Sequence, residues 1–358
     1  MGSIPTLDGV GSHLIQTQRL KMHYLATGPE GGVPVLFIHG NGASATFWEE
    51  TMLALPRQYR ALAPDMRGYG DTEPVPVDAT LGLNDMVWDV RSLVQALVLG
   101  PHHIVGHSMG GGIVMKYALG HSDELRSITL VDTVSPYGYS GSLDVAGTPC
   151  HVDGAPAGAG SVNPDFVKLM LAKERGTEEP MAPRNVLRQF YVKPPFIPQR
   201  EEELLSSMLS LRVGDDWYPG DAAPSPHWPG VAPGERGIVN AFSRKYFDAS
   251  GLVEAHPKPP ILWIRGAEDM IVSNNAMWDI AALGAMGFVP GWPGPDECPP
   301  QPMLDQIGAI LEQYRANGGS YMEVVIDDAG HCPYIEKPDE FNSAFHMFLD
   351  EAGRDGER

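Results

Sequence analysis

Short, continuous apolar segments recur along this chain and are separated by stretches with helical periodicity. The apolar segments lie at residues 35–39, 60–65, 103–107, 127–132, 261–265 and 321–326. Most of them do not alternate apolar with polar residues, which is typical of parallel strands buried on both faces. Helical stripes lie between them, at residues 84–99, 109–121 and 338–351. The pattern predicts an α/β fold with a doubly wound, mostly parallel sheet, and residues 13–27, which alternate better, predict an antiparallel edge.

The alternation of strand and helix patterns stops after Asp132 and resumes near Pro259. We therefore expect a first core part over residues 1–134, a mainly helical cap over 135–257 and a second core part over 258–358. Within the cap, helices are predicted at residues 163–175, 183–191, 200–211 and 235–247. A second insertion at about 284–302 carries six prolines and is expected to be irregular.

The composition restricts the classes of function. The formal net charge of −20 argues against a nucleic-acid partner, because phosphate binding requires a basic surface. Three cysteines, Cys150, Cys298 and Cys332, suggest neither a disulfide framework nor a zinc motif. We see no signal peptide and no membrane span in the sequence, and we expect a cytoplasmic protein.

A nucleophile motif stands where one of the predicted strands ends. Gly106-His107-Ser108-Met109-Gly110 fits the pattern G-x-S-x-G, with an apolar strand before it and a helix after it. The glycines allow a strained turn that lifts the serine hydroxyl above the sheet, and the helix N-terminus favours developing negative charge. Ser108 is therefore the predicted nucleophile.

A serine hydroxyl needs a base, and the base needs an orienting acid. His331 follows the strand at 321–326, and Asp269 follows the strand at 261–265. The carboxyl ends of parallel strands meet over one edge of a sheet, so both residues are expected near Ser108. Asp132, at the end of an earlier strand, is an alternative acid, although it is also interpreted as a strand-end cap.

The loop after the strand at 35–39 offers an oxyanion donor. Its sequence, His39-Gly40-Asn41-Gly42, suggests the Asn41 N–H, with a second N–H from Met109. The same loop also resembles a dinucleotide fingerprint, but that alternative would leave Ser108, Asp269 and His331 unexplained. The sequence predicts neither a cofactor nor a metal.

Together these motifs resemble the α/β-hydrolase superfamily. The resemblance runs through His39 to Gly42, Asp65 to Gly70, Gly106 to Gly111, Gly266 to Asp269 and Gly330 to Pro338, and covers roughly residues 20–135 and 258–350. It implies Ser108, Asp269 and His331 as catalytic triad, with Asn41 and Met109 as oxyanion donors. Dehalogenases and epoxide hydrolases of this fold carry aspartate at the elbow, so serine there favours esterases, lactonases, amidases or C–C bond hydrolases.

The predicted function is hydrolysis of a medium-sized, apolar carboxylic ester or lactone through an acyl-enzyme, with a small molecule as the only predicted partner. The alternatives are a C–C bond hydrolase acting on a diketone-like substrate and a non-catalytic ligand-binding protein. Cys332 is interpreted as a packing residue or as a thiol near the pocket. The residues predicted to line the substrate pocket are Trp48, His107, Trp217, Trp228 and Phe242.

Overall fold

An eight-stranded sheet organises the protein, which the computed structural model describes over residues 4–355. Residues 1–3 and 356–358, at the ends of the two predicted core parts, lie outside the described residues. The strands of this sheet are β1 Gly11–Gln16, β2 Lys21–Thr27, β3 Val33–Ile38, β4 Tyr59–Pro64, β5 His102–His107, β6 Leu125–Val131, β9 Ile261–Gly266 and β10 Tyr321–Ile326. A separate two-stranded ribbon consists of β7 Ala222–Pro224 and β8 Val231–Pro233.

The strand order is β1-β2-β4-β3-β5-β6-β9-β10, and the six strands from β4 to β10 pair in parallel. β2 pairs antiparallel with both β1 and β4, so the predicted antiparallel edge is confirmed. The central strands are buried on both faces because helices cover both sides of the sheet, and every residue of β5 is buried. The fold class predicted from the sequence, an α/β fold with a mostly parallel sheet, is confirmed.

Eleven α-helices connect or follow these strands within the described residues. They are α1 Glu49–Ala54, α2 Asn84–Ala96, α3 Met109–His121, α4 Pro164–Leu171, α5 Pro183–Val186, α6 Glu201–Ser210, α7 Ile238–Ala241, α8 Ile280–Ala285, α9 Met303–Ala316, α10 Pro333–Glu336 and α11 Pro338–Asp355. In this part of the chain, no helix combines the length and the apolarity that a membrane crossing requires.

The segment between β6 and β9 consists of short helices, loops and the β7–β8 ribbon. Three of its predicted helices appear as α4, α5 and α6, with a π-helical turn at Leu187–Tyr191 extending α5. The prediction over residues 235–247 is wrong in extent, because only Ile238–Ala241 is helical. The backbone before α7 bonds elsewhere: Ala79 N–H donates to the Glu235 carbonyl, and Gly237 N–H donates to the Val77 carbonyl. Directly after α7, the Phe242 carbonyl accepts the Tyr139 N–H at 2.9 Å.

A buried turn after β4 fixes the loops at the carboxyl edge of the sheet. Asp65 accepts hydrogen bonds from the backbone N–H groups of Ala45 and Asp71, at 2.8 and 2.9 Å, and from His23 Nδ1 at 2.7 Å. A side chain at Gly70 would collide with Asp65, since an added Cβ would lie 1.8 Å from Oδ2. This carboxylate therefore acts as scaffold, tying the loop after β3 to the turn after β4.

Candidate active site

Ser108 stands at the junction of β5 and α3, in a strained backbone conformation with φ 55° and ψ −121°. Such a conformation is unusual for a residue with a Cβ and persists only where the surroundings fix it. The neighbouring Gly106 and Gly110 allow this conformation because they have no side chains. A Cβ at Gly106 would lie 2.4 Å from the Gly110 carbonyl oxygen, and one at Gly110 would lie 2.4 Å from the Ile38 carbonyl oxygen. The elbow can therefore form only with glycine at both positions.

His331 and Asp269 form a buried pair beyond the ends of β10 and β9. The distance from His331 Nδ1 to Asp269 Oδ2 is 2.8 Å, and both residues are buried. Asp269 Oδ1 accepts two more hydrogen bonds, from the N–H groups of Ile271 at 2.7 Å and Val272 at 3.1 Å. Because Nδ1–H donates to the carboxylate, Nε2 is left as the basic nitrogen of the imidazole.

Ser108 and His331 line the same cavity. Within residues 4–355, Ser108 Oγ makes no hydrogen bond to the His331 ring. Hydrogen bonds between nucleophile and base are often long in the absence of substrate and shorten when substrate binds. The structure thus brings together Ser108, His331 and Asp269, the three residues predicted from the sequence.

Asp132 lies beside this pair. One oxygen of Asp132, one oxygen of Asp269 and one ring nitrogen of His331 all lie within 4.8 Å of one another. Asp132 Oδ1 accepts the Gly266 N–H at 3.0 Å, while Oδ2 is buried and has no hydrogen-bond partner among the described residues. Burial, followed by the negative charge of Asp269, raises the pKa of Asp132 well above its ordinary value. Asp269, not Asp132, makes the hydrogen bond to the imidazole.

The loop that carries His331 is fixed from two sides. Glu336 accepts the Gly330 N–H at 2.8 Å and the Lys193 N–H at 2.6 Å. On the other side, His107 Nε2–H donates to the His331 carbonyl at 2.8 Å. Burial, and then the proximity of His331, lowers the pKa of His107 well below its ordinary value, so its ring stays neutral and the tautomer is set by this bond.

Both predicted oxyanion donors belong to residues that line the cavity beside Ser108. Asn41 and Met109 both line it, and in the described part of the chain neither backbone N–H donates a hydrogen bond. Met109 is the first residue of α3, where the N–H groups have no partner within the helix. An oxyanion formed next to Ser108 would find two such donors.

The position of Asn41 depends on two tyrosines. The Tyr69 hydroxyl donates to Asn41 Oδ1 at 2.8 Å, and the Tyr191 hydroxyl donates to the Asn41 carbonyl at 2.7 Å. Gly42 takes a positive φ of 64°, and a Cβ there would lie 2.4 Å from the Tyr191 hydroxyl. The hydroxyls of Tyr69 and Tyr191 therefore hold the loop in place, and Gly42 leaves room for the hydroxyl of Tyr191.

The cavity above Ser108 has a volume of about 610 Å³ and mostly apolar walls. None of the described residues that line it is Asp, Glu, Lys or Arg. Its aromatic walls include Tyr139, Phe166, Phe190, Tyr191, Phe242 and Trp278. A cavity of this size with few polar groups suits an uncharged ligand of moderate size.

Of the five residues predicted to line the substrate pocket, Phe242 does so. The structure corrects the prediction for the other four. Trp48 is fully buried and stacks on Tyr334, with ring centroids 4.3 Å apart, while His107 bonds to the carbonyl of His331 behind the pocket. Trp217 lines a separate cleft, and Trp228 donates from Nε1 to the Pro290 carbonyl at 2.9 Å.

The structure also reveals residues that the sequence did not single out. Tyr191 and Tyr69 orient the Asn41 loop, Glu336 orients the His331 loop, and Trp278 forms part of the cavity wall. Two of these residues had a signal, since Tyr69 lies in the matched segment Asp65 to Gly70 and Glu336 in the matched segment Gly330 to Pro338. Cys332 is buried and absent from the cavity wall, and burial raises its pKa well above the ordinary value, which favours the interpretation as a packing residue.

Comparison with known proteins decides the family. The family model described as "alpha/beta hydrolase fold" matches residues 33–294, more than half of the chain. The chain belongs to the α/β-hydrolase family. The resemblance found in the sequence is thereby confirmed.

Relatives within the α/β-hydrolase family differ in their reactions. The chain is 34% identical over 103 residues to the 2-hydroxymuconate semialdehyde hydrolase of a Pseudomonas species, covering 28% of this chain and 36% of that protein. It is 32% identical over 154 residues to the non-heme chloroperoxidase of Streptomyces lividans, covering 42% of this chain and 51% of that protein. The chain therefore matches about half or less of the length of these curated relatives.

A solved structure extends the likeness to the whole fold. The esterase of Exiguobacterium antarcticum superimposes with a TM-score of 0.58 and 16% identity, covering 95% of this chain and 100% of that chain. At this identity the likeness concerns the fold alone. The comparisons establish an α/β-hydrolase with hydrolases among its relatives, while the reaction has to be argued from the site.

Proposed function

We propose that this protein is a serine hydrolase that cleaves a medium-sized, apolar carboxylic ester or lactone. Ser108 is the nucleophile, His331 the general base and Asp269 the orienting acid. The observation that carries the proposal is the His331–Asp269 pair, joined at 2.8 Å, which shares one cavity with Ser108 and two unpaired backbone amides.

The proposed reaction follows from the geometry of these groups. His331 Nε2 takes the proton of Ser108 as Oγ attacks the substrate carbonyl, and Asp269 stabilises the imidazolium that forms. The N–H groups of Asn41 and Met109 stabilise the oxyanion. His331 then returns the proton to the leaving oxygen, and a water molecule activated by His331 hydrolyses the acyl-enzyme.

The cavity wall supports an apolar substrate. Burying a charged carboxylate or ammonium group without a partner costs several kcal/mol, and the described wall offers neither Arg or Lys nor Asp or Glu as a partner. Aromatic walls instead favour an acyl or alkyl group with few polar atoms. We propose accordingly that residues 135–257 act as a cap that encloses this group, because many of the wall residues belong to that segment.

Labelling by an activity-based phosphonate tests the proposal directly. A fluorophosphonate should react stoichiometrically with the protein at Ser108, and neither Ser108→Ala nor His331→Ala should be labelled. Turnover of aryl esters should fall by about 10⁴-fold or more in both variants, as expected when a triad member is removed. Lack of labelling together with lack of ester turnover would disprove the hydrolase assignment and favour a non-catalytic ligand-binding protein.

A second candidate reaction is C–C bond hydrolysis of a diketone-like substrate. The match to a semialdehyde hydrolase favours this candidate, and the same triad would serve it. A panel that includes short aryl esters, lactones and β-diketones separates the two, since the proposed esterase should turn over esters with the highest kcat/KM.

A further inference from the structure

A second cluster of ligand-type side chains lies outside the proposed catalytic site. His151, His227 and Glu297 each offer one donor atom, and these atoms all lie within 4.8 Å of one another. His151 Nε2 and Glu297 Oε1 are 3.7 Å apart, and the two imidazole rings lie parallel with centroids 3.7 Å apart. The three residues come from segments that are distant in sequence, so their convergence is a product of the tertiary fold.

Tight turns hold each donor in place. His151 begins a turn in which the Gly154 N–H donates to its carbonyl at 3.1 Å, and the His227 carbonyl accepts the Gly230 N–H at 2.7 Å at the tip of the β7–β8 ribbon. Asp153 links these two segments, since it accepts the Ser225 hydroxyl at 2.7 Å. On the third segment the Glu297 N–H donates to the Gly294 carbonyl at 3.3 Å. The fold thus sets the backbone positions of the three residues.

One donor atom of this set lacks a hydrogen-bond partner in the described part of the chain. His151 Nε2 is buried and has no hydrogen-bond partner among the described residues. A buried polar nitrogen without a partner is costly in a folded protein and calls for one.

The spacing matches a small coordination sphere. Zinc binds imidazole nitrogen and carboxylate oxygen at about 2.0–2.2 Å, so neighbouring ligands of a tetrahedral ion lie about 3.4 Å apart. The His151–Glu297 separation of 3.7 Å is close to that value. Because the imidazole rings are parallel, one of them must turn about its Cβ–Cγ bond for both nitrogens to meet one ion.

We propose that His151, His227 and Glu297 form a binding site for a divalent transition-metal ion, of which Zn²⁺ fits the donor set best. Two imidazoles and one carboxylate supply three ligands, and the partly exposed position of Glu297 leaves room for water as a fourth. Ca²⁺ and Mg²⁺ prefer sites composed of oxygen ligands, so they should bind poorly here.

Such an ion would stabilise the part of the proposed substrate cavity wall that the insertion at about 284–302 contributes. The insertion that carries Glu297 also carries Phe288 and Val289, which line that cavity, and Trp228, next to His227, bonds to Pro290. Metal binding would thus link the β7–β8 ribbon, the loop at His151 and the cavity wall. The inference does not depend on the proposed reaction, and its failure would leave that proposal intact.

Zinc titration of the full-length protein tests the site. The protein is stripped with a chelator and dialysed, and Zn²⁺ is then titrated in competition with a chromophoric chelator. We expect one equivalent to bind, with an affinity that weakens at acid pH because imidazole must be unprotonated to bind metal. Cobalt in place of zinc should give the visible absorption bands of a four-coordinate ion.

Three variants locate the binding. His151→Gln and His227→Gln should each weaken zinc binding by at least about tenfold, whereas His256→Gln, at an exposed histidine outside the cluster, should leave it unchanged. Circular dichroism and the melting temperature of the stripped proteins verify that the variants fold. Absence of stoichiometric zinc binding, or equal binding by the His151→Gln/His227→Gln double variant and the unmodified protein, would overturn the proposal. Loss of binding in His331→Ala alone would do the same, because it would place the ion at the triad.

Discussion

Two carboxyl groups and one imidazole share a small buried volume at the proposed catalytic centre. Asp269 bonds to His331, and Asp132 lies beside both with one oxygen unpartnered. Two ionised carboxylates at such a distance repel each other strongly when buried, so one of them holds a proton. Asp269 accepts three hydrogen bonds, which stabilise its ionised form, whereas Asp132 accepts one and burial raises its pKa, so we assign the proton to Asp132.

This assignment predicts that Asp132→Asn keeps most of the activity. An asparagine amide can still accept the Gly266 N–H and donate towards Asp269, so it imitates the protonated acid. We expect kcat/KM for an aryl ester to change by no more than a few-fold. Asp269→Asn should lower it by about 10³–10⁴-fold, because the orientation of His331 is lost. Equal losses in both variants would show that Asp132 serves as the ionised acid of the triad.

The proton assigned to Asp132 should also make the free energy of unfolding of the protein depend on pH. Above about pH 4 the unfolded chain has released the Asp132 proton while the folded protein retains it, because the folded pKa is raised. The free energy of unfolding therefore loses up to about 1.4 kcal/mol per pH unit through this group as pH rises towards its folded pKa. Asp132→Asn removes this loss, so its stability relative to the unmodified protein should increase as pH rises above about 4 towards the raised folded pKa. Urea denaturation measured at several pH values checks this, and a constant difference would contradict it.

At the scale of elements, the sheet and the elbow were predictable because their signals are local. Continuous apolar runs mark strands buried on both faces, and the elbow requires glycines at fixed positions around Ser108. The proposed base and acid could be predicted as well, because His331 and Asp269 each follow a strand of the parallel sheet. The carboxyl ends of such strands meet at one edge of the sheet.

The segment between β6 and β9 was less predictable because its structure is set by distant contacts. Residues 235–247 have a helical pattern, yet the Ile238 N–H donates to the Trp217 carbonyl and the backbone around Gly237 pairs with Val77. These long-range bonds fix where α7 begins, and just past its end the Phe242 carbonyl accepts the Tyr139 N–H. Aromatic residues such as Trp217 and Trp228 are prominent in sequence, but only packing decides whether they face the cavity, and both face elsewhere.

Helix α3 offers a test with a matched control. Gly111→Ala would place a Cβ 2.0 Å from Thr133 Oγ1, and we expect a loss of about 1–3 kcal/mol, typical of an overpacked core. Gly120→Ala lies on the same helix with no atom within 4 Å of the added Cβ, and should stabilise the protein by about 0.5–1 kcal/mol through helix propensity. Urea midpoints measured for both variants provide the comparison. A destabilised Gly120→Ala, or an unaffected Gly111→Ala, would contradict the packing described for the elbow.

At the scale of the whole molecule, the charge of −20 should oppose folding through self-repulsion. Raising the ionic strength from about 0.01 to 0.15 M shortens the Debye length from about 30 to 8 Å and screens this repulsion. We expect the melting temperature in sodium chloride to rise over that range. Partial succinylation of surface lysines makes the protein more negative and should enlarge the rise, whereas a melting temperature that falls with salt would show that attractive ion pairs dominate.

The order of the residues along the chain has a consequence for biosynthesis. The elbow at Ser108 is complete once β3, β5 and α3 have formed, but His331 follows β10, the last strand of the sheet and one of its edges. A growing polypeptide on the ribosome would thus carry the serine without the imidazole that makes it reactive. In the proposed enzyme, Ser108 therefore becomes reactive only after β10 and His331 have left the ribosome. Fragments released before that point should not react as serine hydrolases.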